Sequence, residues 1–481
     1  MTTIVEESLV FELGDAPATA PALPGVPSEL ARTSAVPLPD LPEPRVIRHF
    51  FRLSNRNMAI DQALYPLGSC TMKYNPRLNE AMARLPGFAE AHPLQPDHEV
   101  QGALELTWLL EDALRDVTGM PYISLHPAAG AHGEFAGMLL MQAWHKENKT
   151  GRDTVLIPES AHGTNPASAV MAGFKVKNIP DQGTGYLKYE HIAPHLDDSV
   201  AAVMMTNPNT LGAFERDIGK IADWLHSNKA LLYWDGANFN AIMGRAKPHD
   251  LGADVIQLNL HKTFTTPHGG GGPGCGPIGV SERVQAYLPT PRVIKNSDGS
   301  FRMSTAADFP KSIGSVKGFY GHFGMAVRAL TYIWRLGGPG LKAATERAVL
   351  NANYMRSKLA DVMALATTEP MLHEAVFSDA AFAGLGATTM DFAKALLDHG
   401  FHPPTVYFPL MVHGAMMIEP TETEEKEELD RFIAVLRNLI TQAKEGADFH
   451  DEPVRAFRGR LDEVSAARNP VLTWDPSLPR A

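Results

Sequence analysis

The sequence predicts an α/β protein, a mainly parallel sheet covered by helices, followed by a smaller α+β region. Three observations predict it. Between about residues 150 and 280, short apolar strand patterns alternate with helical ones, as parallel strands joined by crossover helices require. Polar clusters follow four of those strands in chain order, and in such sheets ligands bind beyond the carboxyl ends of strands. After about residue 330 the alternation gives way to longer helical stretches. A chain of 481 residues with 44% hydrophobic residues is ample for two or three domains. The reading divides it into an arm and loop segment over 1–99, a large α/β domain over 100–330, and an α+β domain with a tail over 331–481.

Composition narrows the partners. A formal net charge of -11 argues against nucleic acid. No apolar run approaches the length of a membrane span. Two cysteines, Cys70 and Cys275, cannot build a disulfide framework, and a reducing compartment is the simpler assumption. The start, Met1-Thr2-Thr3-Ile4-Val5-Glu6-Glu7, is acidic, unlike a secretory signal or an Arg-rich transit peptide. A cytoplasmic location is the expectation.

Residues 1 to about 45 are rich in Pro and Ala, as in Pro37-Leu38-Pro39-Asp40-Leu41-Pro42, and are expected to form an extended arm or a disordered tail. Tyr65 to Pro76 packs small, polar and cationic residues between two prolines and reads as a shaped loop, a binding segment or an ordinary connector. Apolar spacing predicts a buried helix over Val100–Val117. His126-Pro127-Ala128-Ala129-Gly130-Ala131-His132-Gly133-Glu134 precedes a second helix, Phe135–Lys146. Small residues at a helix start leave its N–H groups open to an anion, so Gly130 and Ala131 are a candidate phosphate cradle; a helix start chosen for close packing is the alternative.

Strands are expected at Thr154–Ile157, Phe174–Ile179, Val200–Met205, Ala230–Trp234 and Val255–Leu258, with a helix over Ile218–Asn228. The polar clusters at their ends are Ser160-Ala161-His162-Gly163-Thr164-Asn165, Thr206-Asn207-Pro208-Asn209, Asp235-Gly236-Ala237-Asn238 and His261-Lys262. Further on, Leu341–Leu365 reads as a long helix. Ala387–Val412 fits strand, helix, strand, with Met390–His399 helical. A last helix is expected directly after Pro420, with Thr421 and Glu424 at capping-box spacing.

The chemistry centres on Lys262. A lysine just past an apolar strand lies near low-dielectric surroundings, which favour its neutral amine, and a neutral amine forms a Schiff base with a carbonyl cofactor. The glycine run Gly269–Gly272 allows backbone N–H groups close to an anion. Together they suggest an aldehyde cofactor bearing a phosphate, pyridoxal phosphate; alone they also describe a strand-end lysine and a flexible loop. Asp235 ends an apolar strand and would pair a protonated pyridine nitrogen, or cap the next helix. His162 could lie flat on such a ring or serve as a capping histidine. His261 is expected on the opposite side of an extended backbone from Lys262, near the phosphate or simply packed. Thr206 and Ala237, at neighbouring strand ends, complete the candidate cofactor contacts. No metal-ligand spacing, nucleotide P-loop or Gly-x-Ser-x-Gly elbow is present, so a metal site is not expected.

Leu67-Gly68-Ser69-Cys70-Thr71-Met72-Lys73-Tyr74-Asn75-Pro76, Ser160 through Ser168, Asp235-Gly236-Ala237-Asn238 and Asn259 through Gly274 resemble the glycine-cleavage P-protein family. The likeness runs from about residue 50 to at least 445. It implies the aspartate aminotransferase-like fold type I of pyridoxal-phosphate enzymes. It implies decarboxylation of glycine, with transfer of the aminomethyl group to the lipoyl arm of a carrier, the H-protein. Lys262 matches the family's Schiff-base lysine, His162 the ring-stacking histidine and Asp235 the pyridine partner. The Gly130-Ala131 turn falls where the family holds the phosphate, and His261 also matches. The length fits the carboxy-terminal half of the family's long form, which implies a separate partner, P-protein subunit 1, in an assembly with two of each. The site residues alone also fit an aminotransferase, another amino-acid decarboxylase or a subunit that only completes a partner's site. Cys70 lies in the loop motif, where an inert thiol and an oxidation-sensitive one are both open.

Overall fold

The structure is a computed structural model that describes residues 7–14, 25–31, 39–92, 94–269 and 274–473. Two compact units emerge, Leu64–His450 and a smaller one made of Met1–Ala63 with Asp451–Ala481. Within the smaller unit, prolines start a helix instead of preventing one. Pro42 precedes and Pro44 enters the first turn of Glu43–Ser54, where a fixed φ and a missing N–H cost nothing. Glu7 accepts from Arg52 at 2.6 Å and lies 2.9 Å from His49 Nδ1. Pro37 and Met1–Glu6, part of the expected arm, lie outside the described residues.

The large unit is built on a seven-stranded sheet. Its strands are β1 (Tyr122–Ser124), β2 (Thr154–Pro158), β3 (Lys175–Ile179), β4 (Val200–Thr206), β5 (Leu231–Gly236), β6 (Val255–Leu258) and β7 (Ile278–Val280), in the order β1-β7-β6-β5-β4-β2-β3. Only β7 runs against its neighbours. Central strands of such sheets are covered on both faces, so both alternating sets are apolar. Leu156, Val203, Leu232, Trp234 and Ile256 pack into one core cluster; Val155, Ile157, Met204, Tyr233 and Val255 pack into the other. All five expected strands are present, with ends shifted by at most two residues. The helices Gln101–Thr118 and Ile218–Ser227 match expectation as closely.

After β8 (Val293–Lys295) and β9 (Phe301–Met303) comes a second sheet. Its strands β10 (Ala364–Leu365), β11 (Ala375–Ser378), β12 (Thr405–Val406) and β13 (Met416–Ile418) are antiparallel in the order β10-β11-β13-β12. Three expectations are corrected here. The long helix runs Phe323–Leu359 and breaks at Gly337, whose φ of 61° and ψ of 178° are not helical. Pro339 then sits in the first turn of the second segment, and Ala364–Leu365 is drawn off as a strand against β11. The strand before the helix Thr389–Asp398 is β11, not a segment at Ala387. The last helix spans Lys426–Lys444 and begins after Glu425. Thr421 cannot cap it. It is buried with φ 61°, and its neighbour Glu422 accepts from Lys73 Nζ at 2.6 Å. The capping box forms at Thr388 and Asp391 instead. Among the described residues no helix is long and apolar enough to cross a membrane.

Candidate active site

Parallel pairing aligns the carboxyl ends of β2, β4, β5 and β6, and the polar clusters meet there. Thr206 pairs with Asp235 across β4 and β5, and Asp235 with Gln257 across β5 and β6. Asp235 is 1% exposed, so its charge needs partners. Its Oδ1 accepts from Gln257 Nε2 at 2.6 Å and from the Ala237 N–H at 2.9 Å. Its Oδ2 accepts from Asn165 Nδ2 at 2.9 Å and from Thr206 Oγ1 at 3.2 Å. Thr206 also accepts the His162 N–H at 2.8 Å, which fixes the loop after β2. Thr206 and Ala237 thus act on Asp235 directly.

The His162 ring is partly exposed, its Nδ1 2.8 Å from Thr164 Oγ1 and 4.0 Å from Glu134 Oε1. Burial lowers its pKa, the Asp235 charge raises it and the Lys262 charge lowers it further, so the ring is held toward the neutral form within electrostatic reach of both. Glu134 accepts from Thr164 Oγ1 at 2.8 Å and from Ser168 Oγ at 3.2 Å. Burial, then the neighbouring Asp235 charge, push it up to about 7. Glu134, His162 and Asp235 bring ligand-type atoms within 4.8 Å of one another. Both carboxyls are surrounded by hydroxyl and amide donors, an environment that satisfies oxygens by hydrogen bonds rather than through a cation.

Lys262 follows β6 in a turn, not an extended run, because its N–H bonds back to Asn259 O at 3.1 Å. The amine is buried and donates to Ser69 O at 2.7 Å. The turn sends His261 toward the start of the helix Gly130–Glu147. A Cβ at Gly274 would lie 3.3 Å from His261 Nδ1, and the Cys275 N–H reaches that nitrogen at 3.4 Å. Burial, then His268 and Lys262, push His261 down to about 3, so it is a neutral ring. Gly270–Gly272, part of the expected anion loop, lie outside the described residues.

The helix begins five residues earlier than its apolar pattern suggested, at Gly130. Tertiary contact explains this. A Cβ on Gly130 would collide with the Asn259 side chain, and one on Gly276 with Ala129 O. Among the described residues the amides of Gly130 and Ala131 donate to nothing, and no side chain caps this end. Asn259 Oδ1, buried beside Gly130, has no donor among them either. Unclaimed amides at a helix start bind anions well.

Sequence reasoning brought Lys262, His162, Asp235, Thr206, Ala237, His261, Gly130 and Ala131 forward, and the fold gathers them around the carboxyl edge of the sheet. It missed Glu134, Asn165, Gln257, Asn259 and Ser69. Four of these stood inside quoted motifs, and for Gln257 and Asn259 a polar side chain within or directly after an apolar strand was the available signal. Lys73, conspicuous in the loop motif, is instead buried structure, bonded to Glu422, to Asn240 Oδ1 at 3.0 Å and to Tyr332 Oη at 3.3 Å. Cys275 is fully packed and burial pushes its thiol up to about 12, which leaves it inert.

A buried lysine, a buried aspartate and a helix start, ranged along the edge of a mostly parallel sheet with a small second sheet, fit fold type I of the pyridoxal-phosphate-dependent enzymes. The same architecture is found in a glycine decarboxylase (P-protein) crystal structure in inhibitor-bound form, with TM-score 0.70 at 23% identity over 86% of this chain and 93% of that one. A cysteine desulfurase from Thermococcus onnurineus superposes with TM-score 0.62 at 14% identity, over 79% of this chain and 96% of that one. The chain belongs to the glycine cleavage system P-protein family, whose pattern matches residues 23–301, and the glycine dehydrogenase C-terminal domain matches 344–455. A Caulobacter vibrioides protein named "Probable glycine dehydrogenase (decarboxylating) subunit 2" is 52% identical over 98% of this chain and 92% of its own length. One of the same name from Caldanaerobacter subterraneus is 49% identical over 97% and 98%.

Proposed function

We propose that this chain is the pyridoxal-phosphate-bearing subunit 2 of a glycine dehydrogenase (decarboxylating). It would release the glycine carboxylate as carbon dioxide and pass the aminomethyl group to the lipoyl arm of H-protein. The observation that carries the reading is the buried Lys262 amine on Ser69 O, with His162 and Asp235 close enough to feel one another's charge. The residues suit the cofactor. Thr206 Oγ1 can turn from Asp235 to Asn165 Oδ1, 3.3 Å away, freeing Oδ2 for a pyridine N–H. The amides of Gly130 and Ala131, with His261 nearby, suit a phosphate.

Bound there, pyridoxal phosphate supplies an electron-accepting ring for the carbon that loses carbon dioxide. Lys262 would anchor the cofactor covalently and, when displaced, hold or return a proton at Nζ. Asp235 would keep the ring nitrogen protonated, held in place by Gln257, Ala237, Asn165 and Thr206. His162 would set the plane of the ring, and its neutral form leaves the ring's charge unopposed. The relatives' designation as subunit 2 supports a partner, subunit 1, with two of each as the expected assembly. The paucity of cysteines favours a reducing compartment such as the cytoplasm.

The test is the full-length chain loaded with pyridoxal phosphate, beside Lys262→Ala. A visible absorbance band present in the parent and lost in the variant is expected. Labelled glycine should then release carbon dioxide only with lipoylated H-protein and subunit 1 present. A keto acid formed without the carrier would identify an aminotransferase, and absence of the band in the parent would remove Lys262 as anchor.

A further inference from the structure

A second group of buried acids reaches Lys262 through the loop at Leu67–Thr71. The register of β11 against β13 pairs Ala375 with Ile418, so the next pair along the ladder is Glu374 opposite Glu419. Like charges directly opposite each other on neighbouring strands repel. Neither can escape to water, at 2% and 0% exposed. Their oxygens and a His373 ring nitrogen all lie within 4.8 Å. His373 is no counter-ion, because burial and the Lys262 charge push it down to about 3. Glu419 Oε1 accepts from Asn238 Nδ2 at 2.9 Å, while its buried Oε2 and the buried hydroxyl of its loop neighbour Thr71 are each left without a hydrogen bond of ordinary geometry among the described residues. A proton on Glu374, whose carboxyl oxygen lies within 4.8 Å of that of Glu419, can supply Oε2 with a donor.

The pair holds the loop from both sides. Glu374 Oε1 accepts the Ser69 N–H at 2.5 Å, the Glu419 N–H donates to Pro66 O at 3.2 Å, and Leu67 bridges to Ile418. Thr405 Oγ1 donates to Gly68 O at 2.7 Å. Ser69 sits in the left-handed region at φ 62°, a conformation that needs outside support, and its carbonyl takes the Lys262 amine at 2.7 Å.

We propose that Glu374 and Glu419 are positioning residues that keep one proton between their carboxyls and, through Ser69, hold the loop and the Lys262 amine in place. The proposal rests on Lys262 being the cofactor's anchor. While Glu374 keeps its proton the clamp is closed; when that proton leaves for solvent, two charges face each other in a buried site and the loop is released. The titratable groups facing the pair are His373 beside it, Lys262 in the turn after β6, and Cys70 in the loop. Burial, then the Glu419 charge, raise Glu374 well above the carboxylate range, so release comes as pH rises.

Glu374→Gln imitates the protonated acid. Its amide oxygen accepts from Ser69 and its NH2 donates to Glu419. Cys70 is the reporter, partly buried in the loop with Sγ 4.0 Å from His268 Nε2. Its alkylation rate is read by peptide mass spectrometry on the full chain, with and without pyridoxal phosphate. At neutral pH the parent and Glu374→Gln should label at the same rate, and the loaded forms should retain the Lys262-dependent absorbance. At alkaline pH the parent should label faster than Glu374→Gln by about tenfold or more, the factor carried by one unit of ionisation. Loss of the Glu374 charge alone eases ionisation of Cys70 and works in the opposite direction. Glu374→Ala should label fast at every pH and lose about 100-fold in turnover through misplacement of the amine. Equal rates for the parent and Glu374→Gln across the alkaline range would overturn the shared proton. So would fast neutral labelling of Glu374→Gln. The parent's absorbance band tests the anchor reading separately from any Cys70 rate.

Discussion

Asp235 is the penultimate residue of β5 and Asn259 follows β6 directly, and both are buried, yet the fold treats them differently. Asp235 accepts four hydrogen bonds from its own chain. Asn259 Oδ1 has no donor among the described residues and is pressed against Gly130, next to two unclaimed helix amides. The charge is buried at a high desolvation cost, so the fold must satisfy it whether or not a ligand is bound. The helix start needs only shape, because its attraction for an anion comes from the backbone. One end of the site is held by electrostatics and the other by steric exclusion of side chains.

Breaking the electrostatic end should have the largest effect. Asp235→Ala leaves donors on Gln257, Asn165, Thr206 and Ala237 without their acceptor, and should lower unfolding free energy by about 3 kcal/mol. Urea unfolding measures this, and unchanged stability would mean that the network carries no energy. The shape-held end should respond mainly in binding. In Gly276→Ala the new Cβ meets the backbone carbonyl of Ala129, which cannot swing away. Cofactor affinity, followed by titration, should fall by about 100-fold, with a stability loss of about 1–3 kcal/mol from overpacking. Gly130→Ala meets a movable side-chain amide and should cost less; an equal loss in both variants would contradict the distinction.

The smallest expected effect sharpens the electrostatic half. Burial and Asp235 raise Glu134 from 4.5 to about 7 in the folded protein. A raised folded pKa means that stability is fully present below the unfolded value and is lost as pH rises through about 7. Glu134→Gln should therefore flatten the stability profile over that window, by about 1–2 kcal/mol. Glu215, also buried and pushed up to about 7 by burial, offers a comparison away from Asp235. Glu215→Gln should flatten the same window while leaving cofactor affinity unchanged. A parental slope in Glu134→Gln would show that its ionisation is not linked to folding.

Much of the large sheet was legible because strand periodicity is local. Val255–Leu258 is buried at every position, with three apolar residues and Gln257, as a strand covered on both faces should be, and Lys262 follows it within four residues. The motif at Ser160–Asn165 likewise stood visibly at a strand end. Legibility failed where distant partners override local preference. Thr421 and Glu424 had the spacing of a cap, but Lys73 draws Glu422 into the interior and delays the helix to Lys426. The helix expected at Phe135 starts at Gly130 because Asn259 and Gly276 leave room for nothing larger there.

By itself, then, the sequence determined the α/β class, the strands and which reactive side chains stand at their ends, because apolar alternation and chain direction act over a few residues. Tertiary structure alone decided what those side chains touch. Ser69 meets Lys262 across 193 positions and Glu374 across 305. Local pattern cannot encode contacts of that span; they exist only once two sheets have packed and a buried acid, amide or amine must find its partner within them.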